Sequence, residues 1–376
     1  MAKALHILIS DYKLDSRVRN ETESLSKSIA EVTVFCLRSA QTARTEIRNG
    51  VHIVRYGLFY NYKILLMFTA YCQFFLAACN KNFSVIHAHD FTALPIAFLI
   101  AKIMKIPLVY DSHELWSESE HENYPKFIIK LAYFLEKLFA KRADRIITVS
   151  DTINHYLQKY FNNQRISTVR NIPSYTFEGE SHILREKYFI PGDVPIFIYV
   201  GSLSQERGVD LILIALSKIT NLEFKFVFLG NGPYSVKMRE YIEKHNLTSN
   251  VILSSAVPQN DLIKYIKSAD IGVHAIPNTC LNHDYCLPNK LFEYIHAGVG
   301  VLCTGLTEMS HLIKTYQIGM TFKDKNPEDL AEKIIYLIKN KEEVNKYKRN
   351  AQRLAESLTW ENEFQRLKLV YDNLQK

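Results

Sequence analysis

Short continuous apolar runs alternate with stretches of helical spacing along the whole chain. In the first half the runs are Ile7–Ser10, Val32–Cys36, Val51–Tyr56, Val85–His87, Leu108–Tyr110, Ile146–Val149 and Ile166–Val169. Runs of β-branched and large apolar residues without polar alternation suit strands buried on both faces. Between them the spacing predicts helices, for example over Asp15–Ala30, Phe91–Lys105 and Pro125–Lys141. Such alternation predicts a doubly wound, mostly parallel α/β sheet, with ligands bound beyond the carboxyl ends of the strands. The pattern breaks at Arg170-Asn171-Ile172-Pro173-Ser174-Tyr175, and a polar stretch runs on to Pro191-Gly192. A domain boundary is expected there. A second series follows in Ile196–Val200, Phe226–Leu229, Val251–Leu253, Ile271–His274 and Val301–Cys303, and the tail reads as helices over Pro327–Lys339, Glu342–Glu356 and Trp360–Gln375. The expected organisation is thus 1–170, 171–358 and a closing helix over 359–376.

Composition narrows the class. A chain of 376 residues, 47% hydrophobic and 23% charged, reads as two soluble globular domains. The 46 basic and 39 acidic residues leave +7, too little for nucleic acid but suited to an anionic substrate or an anionic membrane surface. Six cysteines without a CxxC pair predict reduced thiols in a cytosolic protein. The opening residues turn polar too quickly for a signal peptide. The longest apolar run, Ile64 to Cys79, falls short of the roughly 20 residues that span a bilayer and predicts a buried or half-buried helix. From Phe127 to Phe139 the spacing predicts an apolar face turned to the core, with Lys126, Lys130, Lys137 and Lys141 on the other side. That lysine side is a solvated face, or one that meets anionic headgroups.

The most informative stretch runs from Asp284 to Gly298. Pro288 fits the first position of a helix and Gly298 the residue past its end, with Leu291 and Ile295 facing inward. Free N–H groups at the helix start, with Lys290 in the first turn, make an anion site; Glu293, one turn on, can accept from vicinal hydroxyls. A diphosphate and a sugar together describe a nucleotide-sugar. The bland alternative is a capped core helix with a solvated Lys/Glu pair.

Two glycine-bearing turns, Gly201–Gly208 with Arg207 and Gly230-Asn231-Gly232-Pro233, offer further close backbone approach to a ligand. In the first half three polar loops stand out: Asp11–Val18, His87-Ala88-His89-Asp90 and Asp111-Ser112-His113-Glu114. The first lacks glycine, which excludes a dinucleotide fingerprint. The histidines match no usual helix-borne metal pair and there is no HExxH, so no metal is expected.

Together these pieces resemble the retaining GT-B glycosyltransferases of family 4, the "group 1" set, along almost the whole chain. The matching segments are Asp15-Ser16-Arg17-Val18, His87–Asp90, Tyr110–Glu114, Val169-Arg170-Asn171, Gly201…Arg207-Gly208, Gly230–Pro233 and Leu287–Tyr294. The resemblance implies two Rossmann-like domains facing a cleft, the acceptor on the first and the nucleotide-sugar on the second, with the last helix crossing back to the first. It implies that Glu293 holds the ribose, that Arg207 and Lys290 neutralise the diphosphate, and that His113 sits by the transferred sugar. Gly201, Ser202, Gly230, Gly232, Val257 and the run Asp284-Tyr285-Cys286-Leu287 would complete the donor site. Asp15, Arg17, His89 and Glu114 would face a glycan or lipid-linked acceptor.

Two departures stand out. The first of two glutamates common in the family falls at Tyr285, for which Asp284 is a substitute. A basic residue common after the first glycine of the phosphate loop is Ser202 here, and Lys290 can take over its charge. No cofactor is implied beyond the nucleotide-sugar co-substrate, UDP-linked in the first instance and GDP-linked in the second. Place of work is the cytoplasm or the inner face of the plasma membrane, in bacterial-type surface polysaccharide synthesis. Rival readings are a nucleotide-sugar 2-epimerase of the same fold and a non-catalytic nucleotide-sugar-binding protein.

Overall fold

A computed structural model of the chain describes residues 2–39, 42–57, 63–119, 125–174 and 179–374. It divides into two compact units, Met1–Asn171 with Trp360–Lys376, and Ile172–Thr359. The expected linker region includes 175–178, which lie outside the described residues.

In the first unit eight strands form one sheet: β1 (Ala2–Ile7), β2 (Ala30–Leu37), β3 (Thr45–Arg48), β4 (Val51–Tyr56), β5 (Val85–His89), β6 (Leu108–Ser112), β7 (Arg145–Thr148) and β8 (Ile166–Thr168). Their order is β3-β4-β2-β1-β5-β6-β7-β8. All neighbours are parallel except β3 with β4. The chain runs outward from β1 to one edge, then returns to β5 and runs to the other, so the order reverses between β1 and β5. In the second unit six parallel strands, β9 (Ile196–Val200), β10 (Lys225–Leu229), β11 (Val251–Ser254), β12 (Ile271–His274), β13 (Gly300–Thr304) and β14 (Gly319–Phe322), follow the order β11-β10-β9-β12-β13-β14. Here the reversal lies between β9 and β12. Each is a Rossmann-like doubly wound sheet, and each reversal opens a crevice beyond the strand ends.

The first strand begins earlier than the run Ile7–Ser10 implies, because its ladder to β2 starts at Ala2 and ends at Ile7. The edge strands β3 and β14 are additions: Thr-Glu-Ile-Arg has no apolar run, and only Phe322 of β14 is buried. The helix Trp360–Asp372 belongs to the first unit. Its Trp360, Leu367, Val370 and Tyr371 share a core with Ala4, Val32, Val34, Val85 and Val109. Trp360 Nε1 donates to Ser24 Oγ at 2.8 Å, fixing the entry of that helix.

The helix Lys126–Ala140 corrects an expectation. Its inward residues are the small Ala132 and Ala140 and the carboxyl of Glu136, which accepts from Tyr110 Oη at 2.8 Å. Phe127, Leu131 and Phe134 are 71%, 54% and 62% exposed. Leu135, Leu138 and Phe139 are half-buried, Phe139 against the Phe98 ring at 4.8 Å, so the apolar stripe faces out over its first part and the most buried positions are those of Ala132, Glu136 and Ala140. The helix Lys63–Cys79 is half-buried, with Ala70, Phe74 and Ala78 inside and Phe68 and Leu76 exposed. No helix among the described residues is long and apolar enough to cross a membrane.

Candidate active site

In the second unit three turns meet beyond the carboxyl ends of β9, β10 and β11. Gly230 has no room for a side chain, since a Cβ there would stand 1.9 Å from the Gly201 carbonyl oxygen. The Gly230 amide donates to the Ser254 carbonyl at 2.9 Å, and the Ala256 amide to Asn231 Oδ1 at 3.3 Å. These contacts tie the loop carrying Val257 to the glycine turn. Gly232 is packed equally hard, 2.2 Å from the Leu203 carbonyl oxygen measured from its would-be Cβ.

The helix Asn289–Ala297 enters from the other side. Pro288 is its N-cap rather than its first residue, with no side-chain cap, and Gly298 ends it in the left-handed region at φ +68°. No side chain competes for that helix start, the setting in which an N-terminus takes an anion. Leu291 and Ile295 are fully buried.

Lys290 reaches over the Tyr199 ring, 4.2 Å from Nζ to the centroid, and lies 3.2 Å from the would-be Cβ of Gly201. It thus stands beside Ser202, where the family commonly has a basic residue; Ser202 itself is exposed and accepts through its carbonyl from Tyr199 Oη at 2.9 Å. Burial, and next the charge of Arg207, pull the Lys290 amine down to about 7, against the attraction of Glu293. Arg207 is exposed at the end of the turn Gln205–Arg207. Among the described residues neither Lys290 nor Arg207 makes an ion pair. Two neighbouring basic groups with no carboxylate at ion-pair distance form a site short of counter-charge.

The feeder segment is mixed. Both oxygens of Asp284 are engaged, accepting from the Thr307 amide at 3.0 Å and the Thr307 hydroxyl at 2.8 Å. As a substitute for the missing glutamate it would have to release the next helix. Tyr285 is half-buried, Leu287 is buried, and burial pushes the Cys286 thiol up to about 12, where it is an inert apolar wall. Glu293 is buried at 9% exposure, near enough to Lys290 to act on its charge.

The first unit carries a different cluster. Arg17 donates to both oxygens of Asp111 at 2.8 and 2.7 Å and to the Val169 carbonyl at 2.7 Å. Its Nη2 also lies 3.2 Å from Glu21. His113 spans Asp111, at 3.1 Å from Nε2, and Asp90, at 3.2 Å from Nδ1. Burial opposes charge on that ring, but Asp90 and Asp111 outweigh it and hold its pKa well above the usual value. His113 is therefore an imidazolium with both nitrogens committed, a fixed charge rather than a base. Asp90 opens the helix Asp90–Met104 at φ +62°, a strained setting that Asp tolerates, and from there also accepts the His113 amide at 3.2 Å.

Arg17 and His89, expected to meet an acceptor, are buried and bound within this cluster: His89 Nε2 pairs with His6 Nδ1 at 2.9 Å. They position other groups. Asp15 keeps partial exposure while capping its helix through the Val18 amide at 3.0 Å, and Glu114 is exposed.

Ligating atoms of Glu21, His87, His89 and Asp111 lie within 4.8 Å of one another, as do those of His6, His87 and His89. A divalent ion fits neither group well, because the Arg17 guanidinium already sits on Asp111 and beside Glu21, and His6 and His89 bond each other.

Sequence reasoning passed over Tyr199, a plain strand residue there, and His274. The latter ends a buried strand at its ligand-facing end, the signal already noted for His87 and His89.

Two family models match the chain, Glycosyltransferase Family 4 over residues 15–172 and Glycosyl transferases group 1 over residues 180–354. An uncharacterized glycosyltransferase of Methanocaldococcus jannaschii is 22% identical over 96% of this chain and 95% of its own. The chitobiosyldiphosphodolichol beta-mannosyltransferase of Kluyveromyces lactis is 24% identical over 74% of this chain and 68% of its own. Among solved structures, sucrose-phosphate synthase of Thermosynechococcus elongatus superposes with a TM-score of 0.83 at 15% identity, covering 99% of each chain. Anabaena HepE in complex with UDP superposes with a TM-score of 0.76 at 15% identity, over 99% of this chain and 100% of that one.

Proposed function

Because the chain belongs to the GT-B glycosyltransferases of family 4, we propose that it moves a hexose-type sugar, with retention, from a nucleotide-sugar to a glycan or lipid-linked acceptor in bacterial-type surface polysaccharide synthesis. The observation that carries the donor half is the pair Arg207 and Lys290, two basic groups in no ion pair among the described residues, beside a helix start with no side-chain cap. Glycosyl transfer needs positive charge where the diphosphate departs, and preorganised cations and N–H dipoles supply it without a metal. Lys290, held near neutrality by its surroundings, gains most from an arriving diphosphate. Glu293 takes the ribose hydroxyls, and the Gly230 turn with the Val257 loop takes the nucleobase. UDP is the favoured nucleotide, supported by the HepE complex, with GDP as the alternative.

In the first unit the partly exposed Asp15 and the exposed Glu114 offer carboxylates to an acceptor, while His113 is a fixed cation for the transferred sugar. A lipid-linked acceptor accords with the name of the yeast relative, which specifies a diphosphodolichol carrier. It also accords with the outward stripe Phe127, Leu131 and Phe134 beside Lys126, Lys130 and Lys137, suited to peripheral contact with an anionic membrane.

The test is a panel of nucleotide-sugars screened by thermal shift, followed by transfer assays with the stabilising donor and the anomeric configuration of the product read by NMR. Donor-dependent transfer with the anomeric configuration kept is expected, and chelator leaves it intact. Isomerisation of the donor without acceptor would replace this reading with an epimerase, and binding without turnover would leave a binding protein.

A further inference from the structure

His274 is a buried polar side chain of the second unit that this mechanism leaves unused. It ends β12 next to β9, where the strand order reverses. Gly272, two residues earlier and so on the same face of the strand, has the Tyr294 ring 2.3 Å from where its Cβ would stand. That face is the one covered by the helix bearing Lys290. Above the strand end packs the turn bearing Arg207, for a Cβ on Gly208 would fall 1.9 Å from the Ala275 carbonyl oxygen. The imidazole is thus enclosed between the elements that carry the two cations.

It is fully buried, and neither Nδ1 nor Nε2 has a hydrogen-bond partner among the described residues. Each unmet buried polar group costs about 1–3 kcal/mol. Burial first, then Lys290, Arg207 and His283, keep the ring neutral, so it carries one N–H and one lone pair. What would relieve this setting is an acceptor for the N–H that brings negative charge to a place already crowded with positive charge. A phosphoryl oxygen has both properties.

We propose that His274 is a third phosphate-binding group of the donor site, its ring N–H donating to an oxygen of the diphosphate held by Arg207 and Lys290. The inference rests on the reading of that site as a diphosphate site.

Calorimetric titration of UDP and GDP, with uridine and guanosine as controls, tests it on the full chain. Wild type, His274→Leu, His274→Gln and Lys290→Met are compared, and each ligand-free protein is melted. His274→Leu is expected to bind the nucleoside diphosphate roughly tenfold more weakly, in line with one lost hydrogen bond to a charged group. Nucleoside affinity stays unchanged, and His274→Gln, which keeps an N–H donor, retains most of the binding. The ligand-free His274→Leu protein melts no lower than wild type, because an unmet polar group has been removed. Equal loss of nucleoside and diphosphate affinity, or a lower melting temperature in both His274 variants, would make the ring structural and overturn the proposal. Unchanged diphosphate affinity in His274→Leu alongside weakened Lys290→Met overturns it and leaves the site reading standing. Undiminished binding in Lys290→Met, or no nucleotide bound by wild type, overturns the site reading as well.

Discussion

Arg17 and Arg207 each stand beyond the carboxyl end of the first strand of a parallel sheet. One guanidinium is buried, with Asp111 and the Val169 carbonyl on its N–H groups; the other is exposed and makes no ion pair among the described residues. Equivalent positions in two similar folds have been put to opposite uses. Where charges find partners inside the unit, they set the shape of a loop. Where they are left facing one another, as Arg207 and Lys290 are, the proposed partner is a ligand. A strongly shifted titration marks both places, so the shift alone does not tell scaffold from site; the presence of an internal counter-charge does.

Replacing Arg17 by leucine should break this comparison most visibly. Asp111 would be left buried with its main partner gone, at a cost of about 3–5 kcal/mol of folding stability. Urea denaturation reads it, and a stable variant that loses only acceptor affinity would return Arg17 to the acceptor site. Alanine at Arg207 or Lys290 should cost about 2–4 kcal/mol of transition-state stabilisation while the fold keeps its stability. Steady-state kinetics with a parallel melt checks both halves, and near-normal turnover in both variants would strike the pair from the mechanism.

A subtler effect follows from Lys290. With its free-state pKa near 7, a bound diphosphate raises it, so binding takes up a proton. Nucleotide affinity should therefore be full below pH 7 and fall as pH rises through 7, by at most about tenfold per pH unit. Lys290→Arg should flatten that profile, and an equally steep profile in the variant would assign the proton elsewhere. The smallest effect on the fold belongs to the helix Lys126–Ala140. Reversing Lys126, Lys130 and Lys137 to glutamate should change stability by no more than about 0.5 kcal/mol. Flotation with anionic vesicles at low salt should show binding by wild type and release of the variant; no binding by wild type would end the membrane reading.

The strands buried on both faces were legible because their apolar runs need no partner to be recognised: Ile196–Val200 and Ile271–His274 lie where the runs put them. Of the four edge strands, β8 and β11 carry such a run and were found, while β3 and β14 carry none and were invisible. The Lys126–Ala140 helix shows a deeper limit. Periodicity locates a stripe of large apolar side chains but says nothing of whether the neighbours leave a groove for them, and here Ala132 and Ala140 fill the space. At the candidate site the Lys290 helix announced itself through Pro288 and Gly298, since both ends are local. Arg17 meets Asp111 across 94 positions of sequence, and no spacing rule foretells that pairing. His274 was hidden for the same reason: the vacancy around its nitrogens exists only once β12, the Arg207 turn and the Lys290 helix are assembled.

The closing helix Trp360–Asp372 has a consequence for the order of events on the ribosome. Tyr371 Oη bonds His87 Nδ1 at 2.8 Å and His6 Nε2 at 3.1 Å, and Trp360 holds Ser24, so the first unit shares its core with residues synthesised almost 300 positions after His87. A nascent chain that has delivered residues 1–171 still exposes the apolar patch that Leu367 and Val370 will cover. Residues 172–359 can complete their own sheet during that wait. The part made first is then the part finished last, and a chain cut short before residue 360 leaves His87 Nδ1 and His6 Nε2 without Tyr371, and bare apolar surface for quality-control factors to recognise.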